Sequence, residues 1–146
     1  MRFALVALAL LAVAGCDSTT PEDRPPETEV VGVTVSYRVT VVGEAFDVAV
    51  TYTDADGETR SDAVDLSRSS SYLQEVPLDP GTTGTFTLSA TGLVNSGRLA
   101  ASIVVTRVDT GDEVAADSQT VTTTGTGEEA SVTARVVVPV VEVTRE

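Results

Sequence analysis

The sequence predicts an all-β protein, an antiparallel two-sheet sandwich of seven to eight strands, and three observations carry that expectation. Val (26 residues) and Thr (22) are the commonest residues, aromatic residues make up 4 % and Trp is absent. Two heavy atoms on Cβ restrict χ1 in a helix but pack well on a pleated sheet, so this composition suits strands. After Val30, apolar and polar residues alternate with the period of a strand, and breaks rich in Gly, Pro, Asp and Asn recur about every eight to twelve residues. A chain of 146 residues is long enough for one domain with its own core and too short for two comfortable ones.

Taken in order, Val31, Val33, Val35, Tyr37, Val39 and Val41 fall on one face, and Gly32, Thr34, Ser36, Arg38 and Thr40 on the other. This is a strand with one buried and one wet face. After a break at Gly43 the alternation restarts, placing Phe46, Val48, Val50 and Tyr52 inward. Asp54-Ala55-Asp56-Gly57 tolerates positive φ and turns the chain into a returning strand from Glu58 to Leu66. Tyr72 to Leu78 is the next strand, stopped by Asp79-Pro80-Gly81. Phe86, Leu88 and Ala90 follow; Gly92 to Gly97 reads as a break before Leu99, Ala101, Ile103 and Val105. Asp109-Thr110-Gly111-Asp112 leads into Glu113 to Thr123, and Val132 to Val140 forms the last strand, with Pro139 expected at an edge or strand end because it cannot donate to a ladder. Short strands at this spacing indicate a sandwich of immunoglobulin-like kind, with a small closed barrel as the alternative.

The first residues carry a different signal. Arg2 precedes twelve apolar residues, Phe3 to Ala14, then Gly15 and Cys16, with no acidic group before Asp17. A basic start, a short apolar run and small residues at a cut site mark an export signal. Twelve residues fall short of the roughly 20 needed to span the hydrocarbon, so removal is expected rather than retention as a helix. Val13-Ala14-Gly15-Cys16 resembles the lipobox of bacterial lipoproteins. That resemblance implies cleavage between Gly15 and Cys16, a diacylglycerol on the Cys16 thiol and an acyl chain such as palmitate on the new amino terminus. Cys16 is the only cysteine, so no intramolecular disulfide accounts for it. One acyl chain anchors marginally, whereas two or three make release slow. In enterobacterial lipoproteins an Asp after the lipidated residue goes with inner-membrane retention; inner and outer membrane both stay open for Asp17.

Residues 1–15 are thus read as signal peptide, and residues 16–29 as the lipidated Cys and a tether. Between Asp17 and Glu29 no side chain is apolar except Pro21, Pro25 and Pro26, so nothing offsets the entropy of ordering. Residues 30–146 form the single domain.

Within that domain, Tyr37, Val39, Gly43, Val48, Val50-Thr51-Tyr52, Asp54, Asp56-Gly57, Leu66, Pro80-Gly81 and Leu88-Ser89-Ala90 resemble the soluble domain of the mycobacterial small membrane protein family. Those proteins are accessory partners of large lipid and siderophore exporters, and the resemblance implies a β-sandwich and a transport-accessory role. It covers roughly the first half of the domain. The chain lacks a Pro-Trp pair after its third strand, and its only Cys belongs to the lipobox.

Composition removes most chemistry. There is no His and no Lys, all nine basic residues are Arg, and the formal charge is −13. Ser-His-Asp, Cys-His and Ser-Lys arrangements cannot be assembled, and His or thiolate metal sites are excluded once Cys16 is lipidated. A phosphate backbone would be repelled, so nucleic acid is not expected as a partner. Asp54, Asp56 and Glu58 beside Gly57 resemble the opening of a calcium loop, but the Glu expected six residues after the Gly is Ala63; they are read first as a hairpin turn and second as calcium candidates. Asp109, Asp112 and Glu113 form a similar acidic turn, Glu44 and Asp47 read as solvated rather than as a glycosidase pair, and Ser67 to Ser71 around Arg68 reads as a polar loop.

The resulting expectation is a protein without catalytic residues or cofactor, held in the bacterial cell envelope by its N-terminal lipid. It would act as an interaction or transport-accessory module on an envelope protein partner. A ligand- or calcium-binding module is the alternative, and a hydrolase using carboxylates alone the third. Exchanging the acylated sulfur for oxygen in Cys16→Ser should move the mature protein from the membrane pellet to the soluble fraction, read by fractionation and immunoblotting; continued sedimentation would refute the anchor.

Overall fold

A computed structural model describes residues 25–66 and 70–145. The fold is all-β and antiparallel, as expected. Its strands are β1 (Glu27–Val30), β2 (Val33–Thr53), β3 (Thr59–Val64), β4 (Ser71–Leu78), β5 (Gly84–Arg107), β6 (Glu113–Thr122), β7 (Glu128–Val138) and β8 (Glu142–Arg145). β1 pairs only with β8, and the other six share one continuous hydrogen-bonded sheet.

That sheet becomes a sandwich because its two central strands bend. The first half of β2 pairs with β4 and with the second half of β5, which in turn pairs with β6. The second half of β2 pairs with β3 and with the first half of β5, which pairs with β7. The outcome is two four-stranded layers, β4-β2-β5-β6 and β3-β2-β5-β7, joined through β2 and β5. Val33, Val35, Tyr37, Val39, Val41, Leu99, Ile103 and Val105 of one layer face inward, as do Val50, Leu88, Ala90, Val132, Ala134 and Val136 of the other. Burying a side chain such as Val or Leu stabilises by about 1.5–3 kcal/mol relative to exposure.

Where the alternation predicted two strands with a break at Gly43, the chain therefore makes one, and the expected break from Gly92 to Gly97 lies inside β5. Glycine there marks a corner instead of a strand end. Gly43 sits at φ +99°, and a Cβ on it would lie 3.1 Å from the Gly97 Cα. A Cβ on Gly97 would run into the Val42 carbonyl oxygen, so the two backbones approach this closely only without side chains. The segment after β6 secures the corner. Ser96 donates its amide to the Gly125 carbonyl (2.8 Å), Thr123 donates its amide to the Gly97 carbonyl (2.9 Å), and the buried Thr123 hydroxyl donates to the Val94 carbonyl (3.3 Å).

A second irregularity corrects the inward assignment of Phe46. The register of β2 against β5 shifts between Phe46 and Ala49, with Asp47 at φ +53°. This bulge adds one residue, so Ala45 and Val48 point inward while Phe46 is 50 % exposed.

The layers do not close into a barrel, because β3 does not pair with β4 nor β6 with β7. Each gap is crossed by one aspartate. The Tyr72 hydroxyl donates to Asp62 Oδ2 (2.6 Å), and the Arg135 amide donates to Asp117 Oδ2 (2.8 Å). One expected boundary also moves, and one holds. Glu27–Glu29, assigned to the tether, pair with the unforeseen strand β8, so the first strand begins three residues before Val30. Pro139 follows directly on the last residue of β7, a strand end as expected.

Because Gly97 is required for backbone approach, Gly97→Ala should destabilise the domain by about 1–3 kcal/mol, the usual cost of overpacking. The urea midpoint would report it, and an unchanged midpoint would show that the corner tolerates a methyl group.

Candidate functional site

The residues singled out from sequence fall into three groups. Gly15, Cys16, Ser67, Arg68 and Ser69 lie outside the described residues. The two acidic turns and the tyrosines lie toward the end of the sandwich where the chain enters; Glu44 and Asp47 lie at the corner.

The β2–β3 hairpin is built around Asp54. Its amide donates to the Glu58 carbonyl (2.8 Å) and its carbonyl accepts from Gly57 (3.1 Å), which sits at φ +80°. One carboxylate oxygen, Oδ1, accepts the amides of Asp56 and Glu58 (3.0 Å each), and Oδ2 accepts Arg60 Nε (2.6 Å). The Arg60 hydrogen bond, aided by the turn amides, holds the Asp54 carboxyl below the usual carboxylate range. Both oxygens therefore serve the turn, and a cation bound at Asp54 would have to displace Arg60. Among the described residues, no three Asp, Glu, His or Cys side chains gather in a way that could hold a metal ion. The β5–β6 turn follows the same pattern. Arg107 grips Asp109 with two bonds (3.0 and 2.6 Å), keeping the Asp109 carboxyl low, and the Thr110 hydroxyl donates to Asp112 Oδ2 (2.8 Å).

Sequence reasoning missed how the tyrosines are placed beside this hairpin: Tyr37 and Tyr52 meet ring to ring, and Tyr72 bonds to Asp62 of β3. The fully buried Tyr37, in the first half of β2, donates its hydroxyl to the Thr53 carbonyl at the far end of the same strand (2.6 Å), and its ring lies 5.4 Å from that of Tyr52. A single strand is thus pinned to itself across the core. Desolvation, followed by the Asp54 charge, raises the Tyr37 pKa well above the ordinary phenol value; desolvation and then the Asp62 bond do the same for Tyr72. Separations of 16 residues within one strand and of 10 between Asp62 and Tyr72 leave no periodic trace in sequence.

The corner carries the apolar surface. Phe46 and Leu93 are direct cross-strand partners on the outside of the bend, 50 % and 38 % exposed, and Val42 nearby is 42 % exposed. Beside them lies a groove of about 530 Å³ lined by Phe46, Val48, Val64 and Leu66 with the carboxylates of Asp47 and Asp65. It occupies a gap in the flank of β2: the ladder with β4 ends at Thr40–Ser71 and that with β3 begins at Val48–Val64. A sequence signal existed in the positive-φ tolerance of Asp next to Phe46, but alternation alone places Phe46 inside.

The chain matches no protein-family model, and neither a curated protein nor a solved structure matches it.

The titrating groups set a pH profile. Tyr37 and Tyr72 have raised folded pKa values, so the stability they contribute is present below the ordinary value of 10.0 and is lost as pH rises from there toward the folded values. Asp54 and Asp109 have lowered values, and their contribution is lost as pH falls below the ordinary 3.8. With no His in the chain, the urea midpoint should be nearly flat from about pH 5 to 9 and fall above about pH 10, with phenolate absorbance rising alongside. A midpoint unchanged at about pH 11.5 would contradict the buried tyrosines.

Proposed function

We propose that the chain is a non-catalytic, lipid-anchored protein of the bacterial cell envelope whose β-domain docks another envelope protein through its corner. One observation supports this reading most: the tether end and the exposed apolar corner lie at opposite ends of the domain. The chain enters at β1 beside Val33, and the corner at Gly43 lies ten residues further along β2, about 33 Å at the rise of a strand. A domain held at Cys16 would turn Phe46, Leu93 and Val42 away from the lipid.

Single exposed apolar residues are ordinary on protein surfaces. Here, however, Phe46 is the one aromatic ring among the described residues left half in water, and it adjoins a groove. Aromatic anchors that fill a partner's pocket carry much of the energy of typical interfaces. Asp47 and Asp65 on the groove, within a chain of charge −13, favour a partner surface that is cationic around an apolar centre. At the other end, Asp54, Asp56, Glu58, Asp109, Asp112 and Glu113 would be repelled by anionic lipid, which favours a domain held off the membrane. The lipobox supports the address, and the likeness to the mycobacterial small membrane proteins supports an exporter or assembly component as partner.

A photo-crosslinking residue at position 46 or 93 in intact cells should give discrete adducts, and one at Val137, exposed on the outer face of β7, none. Phe46→Glu should lower the yield from position 93 by about tenfold, since an exposed anchor contributes to binding and little to folding. Adducts from position 137 alone would move the interface elsewhere; none from any position would end the docking reading.

A further inference from the structure

Alternation sends the odd residues of the first half of β2 into the core and the even ones to the outer face of the β4-β2-β5-β6 layer. Across that face the register sets Leu73, Arg38 and Ser102 in one row and Glu75, Ser36 and Val104 in the next. These six side chains line a groove of about 320 Å³, with the small Ser36 and Ser102 as its floor. Leu73 is 54 % exposed, and Arg38 and Glu75 are exposed as well. The two charges stand on adjacent strands, one diagonal apart. Among the described residues, however, neither side chain forms an ion pair or hydrogen bond with the other or with any third group.

A groove that holds one cation and one anion, both unpaired, is complementary to a second copy of itself. In a face-to-face dimer the twofold axis lies in the interface. An axis that crosses the line from Arg38 to Glu75 at its midpoint, at right angles to that line, sets each Arg38 against the other copy's Glu75. Strands lie about 4.8 Å apart and rise about 6.7 Å per two residues, and on that lattice Leu73 and Val104 both fall within about 2 Å of the same axis. Each therefore meets its own copy, so two ion pairs flank two apolar contacts. The sheets cross at a steep angle, near the orthogonal class of sheet packing.

Charge decides whether two such chains can meet, since each carries −13. Arg38 lies five residues from Val33 and five from Gly43, about 17 Å along the strand either way. The screening length at physiological salt is about 8 Å. The acidic turns at one end and Asp47 and Asp65 at the other thus act weakly on the groove, while charges in contact across it act strongly.

From this we propose that the outer face of the β4-β2-β5-β6 layer is a homodimer interface, with Leu73 and Val104 on the twofold axis and Arg38 paired to Glu75 of the second copy. The surface is separate from the corner, so a dimer leaves Phe46 and its groove open to another protein. Its place in the cell rests on the reading of Cys16 as an anchor, which would hold copies in one plane and raise their effective concentration; the association itself does not.

The test uses the mature chain, residues 16–146, with Cys16→Ser. Sedimentation equilibrium at about 0.15 M salt should show a monomer–dimer equilibrium with Kd below about 1 mM. Arg38→Glu sets a carboxylate against Glu75, and Glu75→Arg sets a guanidinium against Arg38. Each should weaken association at least about tenfold, and the double variant should restore it to within about threefold of the parent. Circular dichroism separates loss of association from loss of fold. In the same background Leu73→Cys leaves a single thiol, which should link to its copy on mild oxidation, whereas Val137→Cys on the opposite layer should not. A monomer at about 1 mM, a double variant as weak as the single ones, or linkage at position 137 in place of 73 would overturn the interface. Crosslinks from positions 46 and 93 in cells report on the corner alone, so the two readings fail independently.

Discussion

The closest constraint in the molecule is the approach of two backbones at Gly43 and Gly97. β2 runs for 21 residues and β5 for 24, each with one apolar face. A flat pair of that length would leave its apolar side in water, so the strands fold that face onto itself. This is possible only where they can bend together, and the bend leaves room for hydrogen alone at Gly97. Core, layer pairing and the position of every loop follow from that corner. The connection after β6 is bound to it, and the flank of β2 beside it carries a gap between two ladders.

What closes the sandwich is correspondingly sparse. The Tyr37 hydroxyl ties the two halves of β2 together across the core, and Asp62 and Asp117 each cross a gap that no ladder fills. A carboxylate in such a place accepts a hydrogen bond without extending a ladder, so the edges of β3 and β6 end in charge. Charged edges discourage pairing with another chain. The acidic residues thus have structural work to do. Asp54 and Asp109 organise turns through arginine, and the outer face of the β3-β2-β5-β7 layer carries the hydroxyls of Thr51, Thr53, Thr87, Ser89, Thr91 and Thr133 beside Arg135 and Val137.

The same geometry gives the domain two unlike ends. The β1–β8 ribbon and the acidic turns gather at one; the bent strands and their exposed apolar residues occupy the other.

The amino-acid sequence by itself determined the local features. Strand content, the turns at Asp54–Gly57, Asp79–Gly81 and Asp109–Asp112, and the inward set from Val33 to Val41 are all properties of a few adjacent residues, and period-two alternation displays them directly. Of the candidate site, Asp54, Asp56 and Glu58 were legible as a hairpin because Gly57 and its neighbours accept positive φ. Val13 to Cys16, which resemble a lipobox, are likewise consecutive, so that resemblance is drawn without a fold. Tertiary structure alone decided the rest. Whether Gly43 and Gly97 end strands or bend them depends on two segments about fifty residues apart meeting. The bulge at Asp47 turned Phe46 outward by adding one residue, which alternation cannot register. β8 showed no long apolar run, since its strand character comes from pairing with β1 and not from burial. Alternation records which side of a strand is wet; which strands meet, and where they bend, is settled by contacts between residues far apart in the chain.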